Sequence, residues 1–279
     1  MPELPEVETI RRVLADVLPD LRILEVHVRR EKMLRGQSCG LFIEGLKGRR
    51  ITGVGRRGKF LILRLDSGSL LLHLGMSGRI IIRGGDLDDP DVELPDKHTH
   101  LILKLSGNRH LYFRDPRMFG RFQLLDVKEE RRLSERLGPE PLSRSFSTAY
   151  FCRALKQRKI PIKTVLLDQR LVAGIGNIYA DEALFRAGIS PHTAGYRLLP
   201  EEAEKLRAAV RKVLREAIRR KGTSISDYVD PRNRQGTFQL RLEVYGREGQ
   251  LCRRCGGPIR KDVLAQRGTH WCPQCQSGA

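Results

Sequence analysis

Four of the six cysteines fall in the last 28 residues as Cys252-x2-Cys255 and Cys272-x2-Cys275, with sixteen residues between the pairs. A Cys-x2-Cys knuckle turns tightly enough to aim two sulfurs at one ion, and paired knuckles at this separation suit a four-thiolate zinc ribbon. Gly256-Gly257 fits the sharp backbone after the first knuckle, and the gap is long enough for a hairpin that brings the pairs together. Four protein ligands leave no open coordination position, so one structural Zn2+ is expected rather than a catalytic one. His270 is a possible substitute ligand that the count does not require. Cys39 and Cys152 stand alone. The hairpin tip carries Gln266-Arg267-Gly268, which places an arginine where it can reach phosphates or a groove. Gly174-x-Gly176 before a helix is a weak phosphate signal and lacks the strand context of a dinucleotide site.

The elements that must carry these groups fall into two kinds. Val7, Ile10, Val13, Leu14, Val17 and Leu18 recur at three- and four-residue steps and predict a helix over 5–18. Pro5 lies in its first turn, and Glu6 and Glu8 suit the positive end of its dipole. Short apolar runs predict strands at Arg22–Val28, Lys59–Leu65, Ser69–Leu74, Arg79–Arg83, His100–Leu105, His110–Phe113 and Arg121–Leu125, a pattern that favours a sandwich or barrel-like domain. Residues 127–148 turn charged and Pro/Ser-containing, with Gly138-Pro139-Glu140-Pro141 unable to continue a helix, and read as an interdomain connection. Glu201–Arg220 is a clear amphipathic helix with a basic outer face that suits solvent. Residues 222–237 are polar and Gly/Ser/Asp/Arg-rich, as in a loop.

The chain has 279 residues, enough for two domains, and a net charge of +19 from 52 Lys+Arg against 33 Asp+Glu. That excess points to a polyanionic partner, nucleic acid first. No apolar run approaches the roughly 18–20 residues that span a bilayer, and the N-terminus has neither the basic nor the apolar region of a signal peptide, so a cytoplasmic protein is expected. In that reducing compartment clustered cysteines argue for metal over disulfides.

Over nearly its whole length the sequence resembles the formamidopyrimidine-DNA glycosylase family. The resemblance rests on Met1-Pro2-Glu3-Leu4-Pro5-Glu6-Val7-Glu8-Thr9, Arg57-Gly58-Lys59-Phe60-Leu61, His73-Leu74-Gly75-Met76-Ser77-Gly78 and Asp115-Pro116-Arg117-Met118-Phe119-Gly120. It continues with Gly174-Ile175-Gly176-Asn177-Ile178-Tyr179-Ala180, Val244-Tyr245-Gly246-Arg247 and the cysteine finger with Gln266-Arg267. It implies an α+β multidomain fold: an N-terminal β-sandwich flanked by helices (1–130), a connection (131–150), a helical domain with a helix–two-turns–helix motif (151–240) and a β-hairpin zinc finger (241–279). Damaged double-stranded DNA would be the partner, lying in the cleft between the domains, and the protein would be a monomer.

The resemblance also implies roles for residues that type alone leaves unremarkable. Pro2 would otherwise be a frayed terminus. With Met1 removed, its secondary amine would attack the sugar C1′ and form an iminium. The amine must be neutral, and a model α-amino group has a pKa of about 7.7–8.0, so partial burial or nearby cations would help. Glu3, otherwise a helix N-terminal acid, would be the acid/base partner. Lys59 would contact phosphate and base, and Arg267 would grip a flanking phosphate and assist elimination. His98, Arg117, Arg158 and Asn177 match DNA-contact positions. Met76, Arg117 and Phe119 match the trio that fills the gap left by an extruded nucleotide. Met118 stands where many relatives carry a basic residue. The implied activity is that of a bifunctional glycosylase and abasic-site lyase that removes oxidised purines. An endonuclease VIII-type glycosylase acting on oxidised pyrimidines is the nearest alternative, and a non-catalytic zinc-ribbon DNA binder would explain the charge and the cysteines alone.

Overall fold

The computed structural model describes residues 2–84, 94–224 and 228–277. The chain divides into two compact units, residues 1–135 with 220–237, and residues 136–219 with 238–279.

The first unit is a sandwich of two four-stranded antiparallel sheets. One has the order β1 (Ile23–Val28), β6 (Thr99–Leu105), β7 (Arg109–Arg114), β5 (Arg79–Arg83). The other has the order β2 (Ile51–Arg57), β3 (Phe60–Leu65), β4 (Ser69–His73), β8 (Arg121–Leu125). Period-two alternation sets the inner faces. Leu61, Leu63 and Leu65 of β3 and Leu70 and Leu72 of β4 meet Leu101, Leu103 and Leu105 of β6 and Ile80 and Ile82 of β5 in one buried core. The opposite residues, Ile62 and Leu71, form a smaller cluster with Leu125, against which Phe60 and Leu133 pack. Helix α1 (Leu4–Val17) adds Val7, Ile10 and Leu14 to the main core, and α2 (Cys39–Leu46) adds Phe42 and Leu46.

In the second unit α4 (Thr148–Leu155), α5 (Ile162–Leu167), α6 (Asn177–Ala187) and α7 (Pro200–Arg219) pack together, with α6 buried along Ile178–Phe185. Helix α5, the turns of 168–176 and α6 form the helix–two-turns–helix motif. Its turns are set by Gln169, whose amide nitrogen donates to the carbonyls of Leu167 (3.0 Å) and Ile175 (2.8 Å) while its oxygen accepts from Gly174 N (2.8 Å). The hairpin β9 (Arg260–Leu264) and β10 (Arg267–Trp271) completes the unit.

The structure revises several sequence expectations. Strand β2 and helix α2 were not anticipated: Gly53, Gly55, Arg56 and Arg57 break the apolar alternation of β2, and two glycines dilute α2, which Ser38 nevertheless caps by accepting from Leu41 N. The expected connection begins later than residue 127, because α3 (Val127–Glu135) covers the outer face of the second sheet through Leu133. The described residues of 220–237, expected in the helical domain, group by their contacts with the sandwich unit, and among them Thr223 N donates to the buried Glu6 carboxylate at 2.7 Å.

Candidate nucleic-acid interface and metal centre

Glu3 is the N-cap of α1, and the first helical turn is enclosed: Pro2, Glu3, Leu4, Pro5 and Glu6 are all buried. Pro2 is therefore packed in place, whereas the bare residue type suggested fraying. Met1 lies outside the described residues. Glu6 holds the terminus through both carboxylate oxygens. Oε2 accepts from Glu3 N (2.8 Å) and Oε1 from Thr223 N (2.7 Å), while Tyr228 Oη donates to the Glu6 carbonyl (3.3 Å). Glu6 is a residue the sequence reading assigned only to the helix dipole. Its position three residues after Glu3, the spacing of a capping box, was the signal for the first of these bonds.

One turn along, Glu8 binds Arg11, Arg12 and Arg56. Burial alone would raise its pKa, but the guanidinium hydrogen bonds hold it at about 2.

Lys59 sits in the two-residue turn between Arg57 of β2 and Phe60 of β3. Gly58, at φ +56°, supplies the left-handed conformation that this hairpin needs at its first central position. The next hairpin end brings His73 beside it. The His73 ring lies 5.0 Å from that of Phe60, and its Nδ1 accepts from Gly75 N at 3.1 Å. Burial first, and then the Lys59 charge, depress the His73 pKa to about 4, so the ring is neutral near pH 7. In the unfolded chain an ordinary histidine titrates near 6.5. The unfolded state thus binds the extra proton between pH 6.5 and 4, and stability falls as pH drops through that window. At pH 5 this single group should cost about 2 kcal/mol relative to pH 8. Denaturant melts of the parent and His73→Gln at both pH values should show the variant losing less on acidification; equal losses would contradict the assignment.

Met76 and Phe119 are 37% and 51% exposed, and Arg117 is exposed with its guanidinium 5.2 Å from the Phe119 ring centroid. These three apolar-plus-cationic groups stand on the loops 74–78 and 115–120. Met118, at the position where the resemblance led one to expect a basic residue, packs against the sandwich core at φ +55°, which suits an apolar side chain. His98 is half-buried next to the same loops, its carbonyl accepting from Asp115 N at 2.9 Å.

In the helical unit Asn177 opens α6 and its amide nitrogen donates to the Gly268 carbonyl at 2.9 Å. Arg158 lies half-buried, 3.6 Å from the Asp168 carboxylate. Arg267 begins β10, exposed beyond a turn in which Ala265 and Gln266 both take positive φ (46° and 60°). Neither is glycine, so the turn is strained and its shape is held by what lies beneath it.

What lies beneath is a buried charge network that the sequence reading missed. Lys163 and Asp181 have fully buried side chains and pair at 2.7 Å. Lys163 Nζ also donates to the Gly268 carbonyl (2.7 Å) and Thr269 Oγ1 (2.9 Å), and Asp181 Oδ2 accepts from His270 N (2.9 Å). The signal was Lys163 as the lone charge of α5 and the Asp181-Glu182 pair inside an otherwise apolar stretch of α6. Replacing Lys163 by methionine should cost about 3–5 kcal/mol, because Asp181 is left buried and unpaired. Denaturant unfolding measures this, and a loss below about 1 kcal/mol would contradict the pairing. Nearby, the buried Glu182 carboxylate accepts from the backbone N–H groups of Glu243, Val244 and Tyr245, which clasps the approach to the finger.

The finger's four sulfurs converge. Cys252, Cys255, Cys272 and Cys275 place their Sγ atoms all within 4.8 Å of one another, with Cys252–Cys275 at 3.8 Å and Cys255–Cys272 at 3.4 Å. Zn–S bonds of about 2.3 Å in a tetrahedron put sulfurs about 3.8 Å apart, so the cluster fits one zinc. His270 is not part of it; its ring faces Asp181 at 3.3 Å.

Three family models match the chain in order: the formamidopyrimidine-DNA glycosylase N-terminal domain over residues 1–122, the family's H2TH domain over 137–229, and the zinc finger found in FPG and IleRS over 249–278. A formamidopyrimidine-DNA glycosylase of Desulfitobacterium hafniense is 46% identical over 281 residues, covering 99% of this chain and all of that protein.

This chain belongs to the formamidopyrimidine-DNA glycosylase family.

Membership makes it a DNA glycosylase of base-excision repair with one structural zinc. Among solved structures, the MutM (Fpg) protein of Thermus thermophilus superposes with a TM-score of 0.88 at 46% identity over the full length of both chains. A point mutant of Lactococcus lactis Fpg, in complex with DNA containing Fapy-dG, superposes with a TM-score of 0.91 at 36% identity, covering 99% of this glycosylase and 100% of that chain. No helix among the described residues of the glycosylase is long and apolar enough to cross a membrane.

Proposed function

We propose that the chain excises oxidised purines (formamidopyrimidines and 8-oxoguanine) from duplex DNA and then nicks the strand, with Pro2 as nucleophile. The observation that carries this reading is the enclosed N-terminus, where Pro2 and Glu3 are buried and Glu6 fixes the Glu3 backbone. Removal of Met1 exposes a secondary amine at an atom already held by the fold. That amine attacks C1′ and the base departs. Glu3 protonates the sugar ring oxygen as the C1′–O bond opens and later moves the proton needed for elimination. Lys59 adds positive charge beside phosphate and favours the neutral amine. The resulting iminium acidifies the neighbouring C2′, so β-elimination breaks the 3′ C–O bond. δ-elimination then breaks the 5′ one, leaving a one-nucleoside gap with phosphate at both ends.

Met76, Arg117 and Phe119 occupy the space of the extruded nucleotide, the two ring-and-chain wedges filling the stack and the guanidinium bonding the orphaned base. His98, Arg158, Asn177 and Arg267 bind the phosphates around the lesion. Zinc, when bound, supplies no chemistry at the sugar; it holds the hairpin that carries Arg267. The chain acts on DNA in the cytoplasm as a monomer.

Two measurements test the reading. Borohydride reduction with lesion DNA, followed by intact mass and adduct mapping, should place one covalent bond on Pro2 of a chain lacking Met1. Paired duplexes carrying an oxidised guanine or an oxidised pyrimidine should show faster release of the purine. An adduct on another side chain, or preferential release of the pyrimidine, would overturn the corresponding half.

A further inference from the structure

Asp115 is fully buried, and among the described residues no cation forms a salt bridge with it. A carboxylate in that position is costly unless hydrogen bonds replace its water. Among the described residues, every hydrogen bond its carboxylate accepts comes from one of the two loops that carry Met76, Arg117 and Phe119. Oδ1 accepts from Ser77 Oγ (2.5 Å) and from Arg117 N (3.3 Å), and Oδ2 accepts from Gly120 N (2.7 Å). Ser77 Oγ in turn accepts from Arg117 N (3.2 Å), so the serine hydroxyl bridges the loops a second time. The loops also touch backbone to backbone. A Cβ at Gly75 would lie 2.5 Å from the Phe119 carbonyl carbon and 2.6 Å from Gly120 N. Below them, His100 Nε2 lies 2.9 Å from the Asp115 carbonyl, which anchors the hub to β6.

From this geometry we infer that Asp115 and Ser77 are positioning residues that join the two loops into one preformed wedge. The inference rests on the proposed role of Met76, Arg117 and Phe119. Neither Asp115 nor Ser77 need touch DNA. An acceptor-only carboxylate meets three donors on two loops and fixes the spacing between the Met76 side chain and the stacked Arg117–Phe119 pair. A wedge fixed before DNA arrives does not lose that order on insertion, so more of the binding energy goes to unstacking the lesion.

The consequence is selective. Base release from an intact duplex requires extrusion of a stacked nucleotide, whereas strand cleavage at a preformed abasic site has no base to unstack. Ser77→Ala removes one bridge and keeps the fold-bearing carboxylate; Asp115→Asn replaces one acceptor by an NH2 group that faces the loop donors. Both should slow 8-oxoguanine release, Ser77→Ala about tenfold and Asp115→Asn more, while Ser77→Ala cleaves a preformed abasic site within about twofold of the parent. A 2-aminopurine beside a tetrahydrofuran lesion should also brighten less on binding either variant, reporting weaker unstacking. An unchanged rate of base release, or equal loss of base release and abasic cleavage in a Ser77→Ala protein with parental melting temperature, would overturn the inference. Borohydride trapping of the parent on abasic DNA reads the nucleophile separately, so failure there would sink the Pro2 mechanism without bearing on Ser77.

Discussion

A Pro2→Gly chain should release oxidised guanine at least about 100-fold more slowly than the parent and trap poorly with borohydride, yet bind a duplex with a non-cleavable lesion analogue within about threefold. Glycine leaves an N-terminal amine, but a primary one on a freely rotating residue. Proline offers a secondary amine, whose iminium has no N–H proton to lose and so stays cationic through the elimination, and the residue is buried where the terminus is packed. The fold around it should persist, because α1 is held by Val7, Ile10 and Leu14 and by the Glu6 bonds to Glu3 and Thr223. Binding and trapping should therefore separate, which distinguishes a nucleophile from a structural residue. The same reasoning applies to a chain that keeps Met1: the nitrogen of Pro2 is then an amide, and that fraction should be inert. Full-speed excision by a chain blocked at Pro2 would end the mechanism.

Stripping the zinc should unfold the finger and lower affinity for lesion DNA by roughly tenfold or more, while the sandwich stays folded. The core the finger shares with α6 is small: Phe185 of α6 with Val244, Cys252, Ile259 and Cys272, two of them zinc-site cysteines. A two-stranded hairpin such as β9–β10 is marginal by itself. Structural zinc contributes on the order of 10 kcal/mol to domains of this kind. Without it the knuckles no longer hold β9 against β10, and Arg267 at the hairpin tip loses its fixed place. The Lys163–Asp181 network still ties Gly268 and Thr269 to the helices, so the strand end near His270 should remain protected longest in hydrogen exchange. Chelation followed by anisotropy titration and exchange measurements tests both statements. Unchanged affinity after complete removal of one zinc per chain would refute the role given to the finger.

Much of this arrangement was legible in the sequence because its causes are local. Two Cys-x2-Cys knuckles define a metal site by spacing alone, and the four sulfurs do converge. The three- and four-residue repeat of Val7 to Leu18 and the short apolar run of Phe60–Leu65 are local signals, and both elements lie within a residue or two of expectation. Strand β2 escaped notice because it exists through its pairing with β3, not through its own apolar pattern. The contact of Thr223 with the Glu6 carboxylate, more than two hundred residues away in the chain, left no local signal either.

The chain's own order of residues determined its metal chemistry and many of its elements and, through resemblance, singled out Pro2, Glu3 and Lys59 as candidates. Tertiary structure alone decided that Pro2 is enclosed, that Lys163 and Asp181 share a buried pair beneath the finger, and that Asp115 gathers both wedge loops. The reason is physical. Periodicity and spacing act over a few residues along the backbone, whereas a buried charge is tolerated only where distant segments meet to satisfy it, and those meetings exist only once the chain has folded.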